Sequence, residues 1–397
     1  MINKNQQQDL NFYGLGIAPG ILEILKKIHY VTPTPIQHQL IPMAIQGKDM
    51  VGIAQTGTGK TLAFGIPMIQ RLASTKGLGL VLLPTRELAL QIDAELHKVG
   101  NSFGLRTAVL IGGVPIGPQV GSIRRNPHII IATPGRLIDH LHQKTVNLKN
   151  VNILILDEAD RMLDMGFLPQ ITEILRSVPR ERQTMLFSAT ISPEIMDIAS
   201  ANMKFPISVE IAPTGTTVES VSQDIFIIAK EEKTRLLEKV LAQYSGPTLI
   251  FTRTKYKAHR IAQAIRQMGY SAAETHSDRT FPQRKIALDG FKTGKYRVLV
   301  ATDVMARGID VIGIELVINY DLPSKAEDYV HRIGRTARAG MKGQAISFVT
   351  PAEQREIRAI EYLIRKKLNI ATLPEFPTMQ FAKPRLVYSS KKRWRGR

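Results

Sequence analysis

A glycine-spaced turn, VGIAQTGTGKTL, has the residue types that bind a triphosphate. Its glycines, Gly57 and Gly59, allow a tight turn in which several backbone N–H groups point at one anion. Lys60 brings a charge for the β- and γ-phosphates, and the Thr61 hydroxyl can bind Mg²⁺. The general pattern of such turns begins with Gly where this chain has Ala54. The turn therefore predicts nucleotide binding, with a plain strand–turn–helix as the alternative.

Two adjacent carboxylates follow an apolar run further along the chain. The sequence VNILILDEAD predicts a strand that delivers Asp157 and Glu158 to its carboxyl end, where open α/β sheets bind ligands. Asp157 can hold Mg²⁺, largely through water, because Mg²⁺ keeps part of its hydration shell. Glu158 is placed to orient and deprotonate an attacking water. An acidic helix N-cap is the alternative, and it suits Asp160. Together with the phosphate-binding turn, the pair indicates hydrolysis of a nucleoside triphosphate.

The composition indicates a cytoplasmic protein with a polyanionic partner. The 397 residues include no cysteine, which excludes disulfides and thiolate metal sites, and no long uncharged apolar stretch, so no transmembrane helix is expected. The first residues lack the apolar core of a signal peptide. The net charge is +19, and a surplus of twelve remains outside the acid-free segment 383–397. This surplus favours nucleic acid over an anionic membrane, and a basic tail on an ordinary enzyme does not explain it.

Short apolar runs alternate with helical patterns in both halves of the chain, which predicts an α/β fold with two domains. The predicted strands are rich in Val, Ile and Leu on both parities, as expected where helices cover both faces of a mostly parallel sheet. A segment rich in Thr, Ser and Gly at 211–220 has the composition of a linker. We therefore expect domains at 1–210 and 221–370, and a basic tail with the composition of a disordered segment at 371–397.

The elements that must position these residues can be located individually. The strands are predicted at Met50–Ala54, Gly79–Leu83, Arg106–Ile111, His128–Ala132, Val151–Leu156, Thr184–Ser188, Ile207–Glu210, Gln223–Ile228, Thr248–Phe251, Ser271–Glu274, Arg297–Ala301, Leu316–Asn319 and Gly343–Phe348. The helices are predicted at Arg86–Val99, Gly135–His142, Glu231–Gln243, Lys255–Met268, Gln283–Lys292 and Gln354–Leu368.

The motifs around these residues resemble those of the DEAD-box ATP-dependent RNA helicases. The resemblance covers nearly all of Phe12–Leu368 and implies two tandem RecA-like domains joined by a flexible linker. The matching motifs are TPTPIQ (Thr32–Gln37), AQTGTGKT (Ala54–Thr61), PTRELA (Pro84–Ala89), the glycine pair Gly112–Gly113, TPGR (Thr133–Arg136), DEAD (Asp157–Asp160) and SAT (Ser188–Thr190). HSDR after a strand and the short basic C-terminus are similar to the bacterial RhlE-like branch.

The resemblance implies an ATP site on the first domain. Gln37 would read the adenine edge and so select ATP over GTP, because an amide can donate to N7 and accept from the N6 amino group. Phe12 would stack on the adenine, although composition alone makes it an apolar anchor for an N-terminal helix. The other nucleotide-binding residues that the resemblance implies are Thr56, Gly57, Thr58, Gly59, Lys60, Thr61, Gly308 and Asp310.

The second half would complete that site. HRIGRTAR carries arginines at a spacing of three, which alone describe a solvated basic face of a helix or turn. In the family the last two approach the γ-phosphate, so Arg335 and Arg338 join Lys60 and Glu158 as the implied catalytic residues, since Arg stabilises phosphoryl-transfer charge. Arg332 is expected to be structural or to lie at the interface.

The resemblance also implies an RNA site and its coupling to ATP. Thr, Arg and glycine-exposed amides suit phosphate oxygens, which carry no sequence code. The implied RNA contacts are Pro84, Thr85, Arg86, Gly113, Thr133, Arg136 and Thr302. The alternative for PTRELA and TPGR is that these segments initiate helices. A segment can initiate a helix and also contact RNA, so the two interpretations do not exclude each other. The implied coupling residues are Asp160, Ser188, Thr190 and His331.

The chain departs from the family pattern at three positions. His29 stands where the family usually has Gly, and Ala337 replaces another usual Gly in what we expect to be a mild change. Phe281 stands where a motif usually has Gln three residues before an arginine, here Arg284, which puts the role of that motif in question.

The predicted function is ATP-dependent unwinding of short RNA duplexes or remodelling of RNA–protein complexes. Closure of the two domains would need both ligands, each favouring the other. The predicted cofactors are ATP and Mg²⁺, the protein is expected to be a monomer without a membrane partner, and ribosome-assembly or RNA-decay proteins are candidate partners. The alternatives are a DNA helicase or translocase of the same superfamily, and an RNA clamp whose ATP turnover is incidental.

Overall fold

Each half of the chain forms one parallel sheet covered by helices. The computed structural model describes residues 11–54, 57–210, 221–306, 311, 313–337 and 343–372. Within these residues each sheet has seven strands, and the strand pairings are parallel. The predicted α/β fold class is confirmed. The domain bounds stay predictions, since the linker at 211–220 and nearly all of the tail lie outside the described residues.

The first half carries the elements that position the phosphate-binding turn and the acidic pair. Its strands are β1 (Met50–Ile53), β2 (Leu78–Leu82), β3 (Thr107–Leu110), β4 (Ile129–Ala132), β5 (Val151–Leu156), β6 (Gln183–Ser188) and β7 (Ile207–Glu210). Its helices are α1 (Pro19–Lys27), α2 (Pro35–Ile45), α3 (Lys60–Ser74), α4 (Arg86–Gly100), α5 (Ile116–Arg124), α6 (Pro134–His142), α7 (Ala159–Asp164), α8 (Leu168–Ser177) and α9 (Pro193–Asn202).

The second half repeats this plan. Its strands are β8 (Val221–Ile227), β9 (Thr248–Phe251), β10 (Ala272–Thr275), β11 (Val298–Ala301), β12 (Leu316–Asn319), β13 (Gly343–Val349) and β14 (Asn369–Ile370). Its helices are α10 (Lys233–Gln243), α11 (Lys255–Gln267), α12 (Phe281–Lys292), α13 (Asp303–Ala306), α14 (Ala326–Ile333) and α15 (Gln354–Ile364).

The two sheets have the same strand order. The first runs β3-β4-β2-β5-β6-β1-β7 and the second runs β10-β11-β9-β12-β13-β8-β14, which is the same order with seven added to each number. Both parities of the central strands are buried: Ile153 and Ile155 of β5 pack in one apolar cluster, whereas Leu154 and Leu156 pack in another on the opposite face. Burial on both faces explains why these strands are continuous apolar runs in the sequence.

Strand order brings three motifs to one edge of the first sheet. β6 lies between β1 and β5, with Ile53 opposite Ser188 and Leu156 opposite Leu186. The strands are parallel, so the residues that follow β1 and β5 meet beside the end of β6. This edge is where open α/β sheets place their ligands.

The end of the second half differs from the sequence prediction. The helix predicted at Gln354–Leu368 ends at Ile364, because Arg365 takes a left-handed conformation with φ 52°. The chain then turns back, so that Leu368 still packs in the same apolar cluster, and β14 pairs with β8. That short edge strand was not predicted. None of the helices in the described ranges is long and apolar enough to cross a membrane.

Candidate active site and nucleic-acid interface

The phosphate-binding turn depends on two left-handed glycines. Gly57 has φ 88° and Gly59 has φ 90°, a region that side chains disfavour. A Cβ atom on Gly59 would lie 2.5 Å from Gln37 Nε2 and 2.9 Å from Thr34 Oγ1. Helix α3 starts immediately after this turn, at Lys60, so its first N–H groups point toward the turn and favour an anion there. Thr56 lies outside the described residues.

Lys60 and Asp157 face each other at the sheet edge. Lys60 is 7% exposed, and its Nζ atom donates to the Ala54 carbonyl at 3.0 Å and lies 3.6 Å from Asp157 Oδ1. Burial raises the pKa of the Asp157 carboxyl, and the nearby Lys60 charge opposes that rise. The carboxylate is therefore costly to keep ionised without further positive charge.

The donor set here fits a hard cation. The carboxylate of Asp157 and the hydroxyl of Thr61 are oxygen ligands of the kind that Mg²⁺ prefers. Among the residues that the structure describes, no group of three or more His, Cys, Asp or Glu side chains could enclose a metal ion. A cation at Asp157 would thus complete its shell with water and phosphate oxygens, as Mg²⁺ commonly does.

Glu158 has an unusual backbone and an ionised side chain. Its φ of 53° is left-handed, and it is the N-cap of helix α7. Such strain in a non-glycine residue is found at functional sites. Burial would raise the pKa of Glu158, but the charges of Arg161, Lys60 and Arg335 outweigh burial and hold the pKa below its usual range. The carboxylate forms a buried ion pair with Arg161, whose role the sequence reasoning missed.

A small cavity joins the two halves of the chain at Glu158. Its volume is about 20 Å³, which is room for roughly one water molecule. The residues around it are Lys60, Glu158, Asp160, Arg161, Asp164 and Ala189 from the first half, with His331 and Arg335 from the second. Arg335 is only 3% exposed, and its Nε atom donates to the His331 carbonyl at 3.2 Å. Arg338, Gly308 and Asp310 lie outside the described residues.

Asp160 holds the SAT segment. Its Oδ2 atom accepts from the backbone N–H groups of Ala189 at 3.0 Å and Thr190 at 3.1 Å, and from Thr190 Oγ1 at 3.2 Å. Ser188 Oγ in turn donates to the Thr190 carbonyl at 2.6 Å. The last residue of DEAD and the SAT turn are therefore linked directly by hydrogen bonds, and their role in coupling stays a prediction.

Gln37 lies against the phosphate-binding turn rather than apart from it. Its Nε2 atom donates to the Gly59 carbonyl at 3.0 Å, and its Oε1 atom accepts from Thr34 N at 2.9 Å. An amide has a second N–H and a second lone pair, so it can still bind an adenine edge. Phe12 is 4% exposed and packs in the first-half core with Leu15 and Ile17.

An open cleft of about 480 Å³ crosses both halves on another side of the site. Helices α4 and α6 begin at it, so their N-terminal N–H groups lie near the side chains that are predicted to bind phosphate. Of the predicted RNA contacts, Pro84, Thr85, Arg86, Thr133 and Arg136 line the cleft. Thr85 is also the N-cap of α4, so helix initiation and cleft lining are both true of it. Gly113 and Thr302 are not among the lining residues, although Gly112 and Met305 of helix α13 are.

Gly113 needs its glycine because of Arg86. It has φ 73°, and a Cβ atom there would collide with the Arg86 guanidinium group. Burial lowers the pKa of Arg86, and the neighbouring charges of Arg284 and Arg136 lower it further. Three arginines line this cleft together with two carboxylates, those of Glu87 and Asp139, so a surplus of positive charge remains that favours a polyanion as its occupant.

Comparison with known proteins identifies the family. A family model described as DEAD/DEAH box helicase matches residues 34–198, and one described as helicase conserved C-terminal domain matches residues 232–340. The DEAD-box ATP-dependent RNA helicase CshA of Bacillus subtilis is 41% identical over 363 residues, which are 91% of this chain and 74% of that protein. The ATP-dependent rRNA helicase RRP3 of Debaryomyces hansenii is 42% identical over 362 residues, 90% of this chain and 76% of that protein.

The chain belongs to the DEAD-box RNA helicase family. Dbp5 of S. cerevisiae bound to RNA and ADP BeF3 matches with a TM-score of 0.83 at 29% identity, covering 91% of this chain and 95% of that chain. Mss116p bound to ssRNA and AMP-PNP gives 0.82 at 28% identity, covering 90% and 78%. The predicted RecA-like fold of both domains is confirmed by these matches.

A DEAD box protein of Methanococcus jannaschii is more similar in sequence, at 36% identity over 91% of this chain, but its TM-score is only 0.55.

Ion pairs between described residues join the domains of this helicase. Arg284 of α12 donates from Nε to Glu87 Oε1 of α4 at 2.8 Å, and both side chains are largely buried. Lys325 Nζ lies 2.6 Å from Asp164 Oδ1, and this pair is exposed. Glu87 was missed as a functional residue, because an acid in the first turn of a helix has a sufficient local explanation.

Phe281 replaces the usual Gln without removing the interdomain contact. It packs partly buried against the core of the first domain, and its ring lies 5.8 Å from the Arg284 guanidinium group. The motif whose role the sequence left in question is thus an apolar and ionic contact between the domains.

The remaining sequence expectations concern Arg332 and the two missing glycines. Arg332 is 1% exposed and is bound by Asp303 at 2.5 and 2.8 Å, contacts within the second domain that favour a structural role. His29 and Ala337 both have left-handed backbones, with φ 62° and 54°. At both positions the chain therefore has a side chain where the backbone conformation favours glycine.

Proposed function

We propose that this helicase is an RNA-stimulated ATPase that binds the RNA backbone across both domains and locally separates short duplexes or remodels RNA–protein complexes. The observation that carries the proposal is the cavity where Lys60 and Glu158 of the first domain meet His331 and Arg335 of the second. A site divided in this way is complete only when the domains close, so hydrolysis depends on whatever closes them.

The first domain would bind ATP through its phosphate-binding turn. The turn would bind the phosphates through Thr56, Gly57, Thr58, Gly59, Lys60 and Thr61. The second domain would contribute Gly308 and Asp310 to the same site. Gln37 contacts Gly59, so occupation of the adenine site and the shape of the turn are linked through one amide. Phe12 would offer a ring edge to the base from the core in which it packs.

Thr61 and Asp157 would hold Mg²⁺, partly through water. When bound, that cation would neutralise charge on the β- and γ-phosphates. The raised pKa of the buried Asp157 carboxyl supports this placement, since a second positive charge stabilises its ionised form.

Glu158 would orient the attacking water. Its low pKa keeps the carboxylate ionised, so it accepts a hydrogen bond from the water and takes up the proton as the phosphoryl bond breaks. Arg335, with Arg338, would stabilise charge that develops on the γ-phosphoryl group. The Arg335 charge already acts on Glu158 across the domain boundary, which supports a shared site.

RNA would lie in the cleft that both domains line. The proposed contacts are Pro84, Thr85, Arg86, Gly113, Thr133, Arg136 and Thr302, all suited to phosphate oxygens. The ATP site would be coupled to this cleft through Asp160, Ser188, Thr190 and His331. RNA and ATP would each favour closure, so each raises the affinity for the other by the same factor.

The finer assignments are proposals as well. We place the protein in the RhlE-like branch on its HSDR segment and short basic C-terminus, and in the cytoplasm as a monomer. The relative RRP3 is named as an rRNA helicase, which makes ribosome-assembly proteins candidate partners beside RNA-decay proteins.

ATP turnover with single-stranded RNA or DNA of equal length tests the proposal. We expect stimulation by RNA alone, and equal stimulation by DNA would favour a DNA translocase. Strand separation of a short RNA duplex, measured together with RNA release after hydrolysis, distinguishes a helicase from a clamp. A clamp would hydrolyse ATP, retain its RNA and leave the duplex intact.

A further inference from the structure

A second groove lies on the first domain, apart from the ATP and RNA sites. It has a volume of about 690 Å³ and runs between α8 and α9 on one face of the sheet. Its floor is apolar, formed by Leu168, Leu175, Val178, Ile198, Ala201 and Met203. It shares no lining residue with the interdomain cavity or the RNA cleft. A groove between two helices with an apolar floor has the shape that receives an amphipathic helix.

Phe205 follows a residue that lines this groove and is unfavourable at its position by two independent measures. It directly follows the lining residue Lys204, and 98% of its surface is exposed. Its φ of 45° is left-handed, a conformation that suits Gly, Asn or Asp and is an outlier for a bulky residue. Exposure of the ring and strain of the backbone both cost stability without any contact within the domain that offsets them.

The turn around Phe205 is held firmly. Asp49 Oδ2 accepts from Lys204 N at 2.6 Å, and the Asp49 carbonyl accepts from Ile207 N at 2.9 Å. The other carboxylate oxygen of Asp49 accepts from Thr184 N at 2.7 Å, and Asp49 itself is buried. The ring is thus presented by a fixed backbone, which lowers the entropy that a partner must overcome on binding.

The charged residues at the rim of the groove indicate the charge of the partner that fits it. Arg176 and Arg180 are exposed on the α8 side of the groove, whereas Arg182 is turned inward to bind Thr184 Oγ1 and the Pro179 carbonyl. Lys204 is paired with Glu181, and Glu194 and Asp197 lie on the α9 side. A ligand whose acidic residues face Arg176 and Arg180 complements this distribution.

We propose that this groove, with Phe205 as its anchor, binds an acidic amphipathic helix of a partner protein. RNA fits less well, because the floor is apolar and the carboxylates of α9 would face the phosphates. Exposed aromatic and arginine side chains are the usual anchors of protein interfaces. Phe205 destabilises the free domain. A residue that serves binding rather than stability is expected to do so.

The groove is placed to influence RNA binding. Phe167 lines the RNA cleft and the next residue, Leu168, lines the groove, so the start of α8 separates the two sites. A helix seated on Leu168 would fix the start of α8 and thereby the wall of the cleft. The partner is therefore expected to change the RNA dependence of the ATPase.

The experiment uses the full chain and a displayed library of helical peptides of about 15 residues, the length of four helical turns. Peptides enriched on the wild-type protein are measured by fluorescence anisotropy against Phe205→Asn and Arg176→Glu. Tyr362→Asn, at an exposed tyrosine of the second domain, and Arg124→Glu, at an exposed arginine of α5, are the matched controls. We expect enriched peptides with acidic residues beside apolar residues at helical spacing, and affinities that fall about tenfold or more in the first two variants only.

Thermal unfolding of Phe205→Asn supplies the second measurement. Asparagine tolerates the left-handed backbone, so we expect an unchanged or higher midpoint together with lost peptide binding. A lower midpoint would show that Phe205 supports the fold and would overturn the proposal. Equal binding by all variants, no enriched sequence, or a loss of RNA affinity alone in Phe205→Asn would each overturn it as well.

Discussion

Arg284 of the second domain donates from Nε to Glu87 Oε1 of the first domain at 2.8 Å. Glu87 follows Arg86 in the chain, and the charge of Arg284 also acts on Arg86. One carboxylate therefore balances two arginines at the edge of the RNA cleft. Because the contact crosses the domain boundary, it depends on how the two domains are placed, and we expect it to stabilise closure.

Removal of the Glu87 charge should weaken closure. In Glu87→Gln, Arg284 and Arg86 would remain close together without a carboxylate, which costs roughly 1–3 kcal/mol for a partly buried pair. We expect the equilibrium constant for closure with RNA and a non-hydrolysable ATP analogue, measured by fluorescence transfer between labels on the two domains, to fall about tenfold. RNA affinity without nucleotide should not fall, since the variant makes the cleft more positive.

The exposed pair Lys325–Asp164 is the matched control for this prediction. Solvent screens it, so Lys325→Ala should change closure by less than about 1 kcal/mol. A double variant, Glu87→Arg with Arg284→Glu, should recover part of the lost closure if the two groups act through each other. Equal effects of the buried and exposed pairs would contradict the assigned role of Arg284.

Glu158→Gln should separate hydrolysis from binding. The amide cannot take up a proton, so we expect RNA-stimulated turnover to fall by about 100-fold or more, while ATP-dependent RNA binding is retained. Turnover and RNA binding are measured on the same preparation. Unchanged turnover would exclude Glu158 as the residue that activates the water.

The pH dependence follows from the direction of the Glu158 pKa. In the folded protein the pKa of Glu158 lies below its ordinary, unfolded value. The carboxylate therefore loses its charge only when the pH falls through this lower, folded-state pKa. Around neutral pH, Glu158 therefore stays ionised, and loss of its charge should not limit turnover until distinctly acidic conditions. A loss of turnover near pH 6 would have to come from another group, which a comparison with Glu158→Gln would reveal.

Strand positions and the strand-end motifs were predictable because local chemistry determines them. Val151–Leu156 has its predicted bounds, since a strand buried on both faces is apolar throughout and the acids mark its end. The contact of Arg284 with Glu87 was not predictable, because it joins residues 197 positions apart and each has a local explanation. Nor was the exposure of Phe205, which contradicts the usual burial of its residue type.

The end of α15 shows a second limit of the sequence. Arg365 terminates the helix in a left-handed conformation without the glycine that usually marks such an end. The apolar spacing continues to Leu368, because that residue returns to the same cluster after the turn. Periodicity therefore overstated the length of the helix while giving the correct buried residues.

Deletion of the residues after Ala382 should weaken RNA binding through charge alone. The deleted segment carries seven Lys or Arg and no acid, so its loss removes contacts to phosphates. We expect lower RNA affinity and a shallower dependence of affinity on salt, measured by titration at several salt concentrations. An unchanged slope would show that the segment does not contact RNA.

Replacement of His29 by glycine should stabilise the first domain. His29 follows the end of α1 in a Schellman arrangement, in which Tyr30 N donates to the Leu25 carbonyl at 2.8 Å and His29 N donates to the Lys26 carbonyl at 3.1 Å. The exposed imidazole leaves a left-handed backbone that glycine adopts without strain, so His29→Gly should raise the free energy of unfolding by about 1 kcal/mol. The midpoint of urea unfolding measures this gain. His29→Ala keeps the strain and should give no gain, so equal stabilisation by both variants would show that the side chain, not the backbone, is unfavourable.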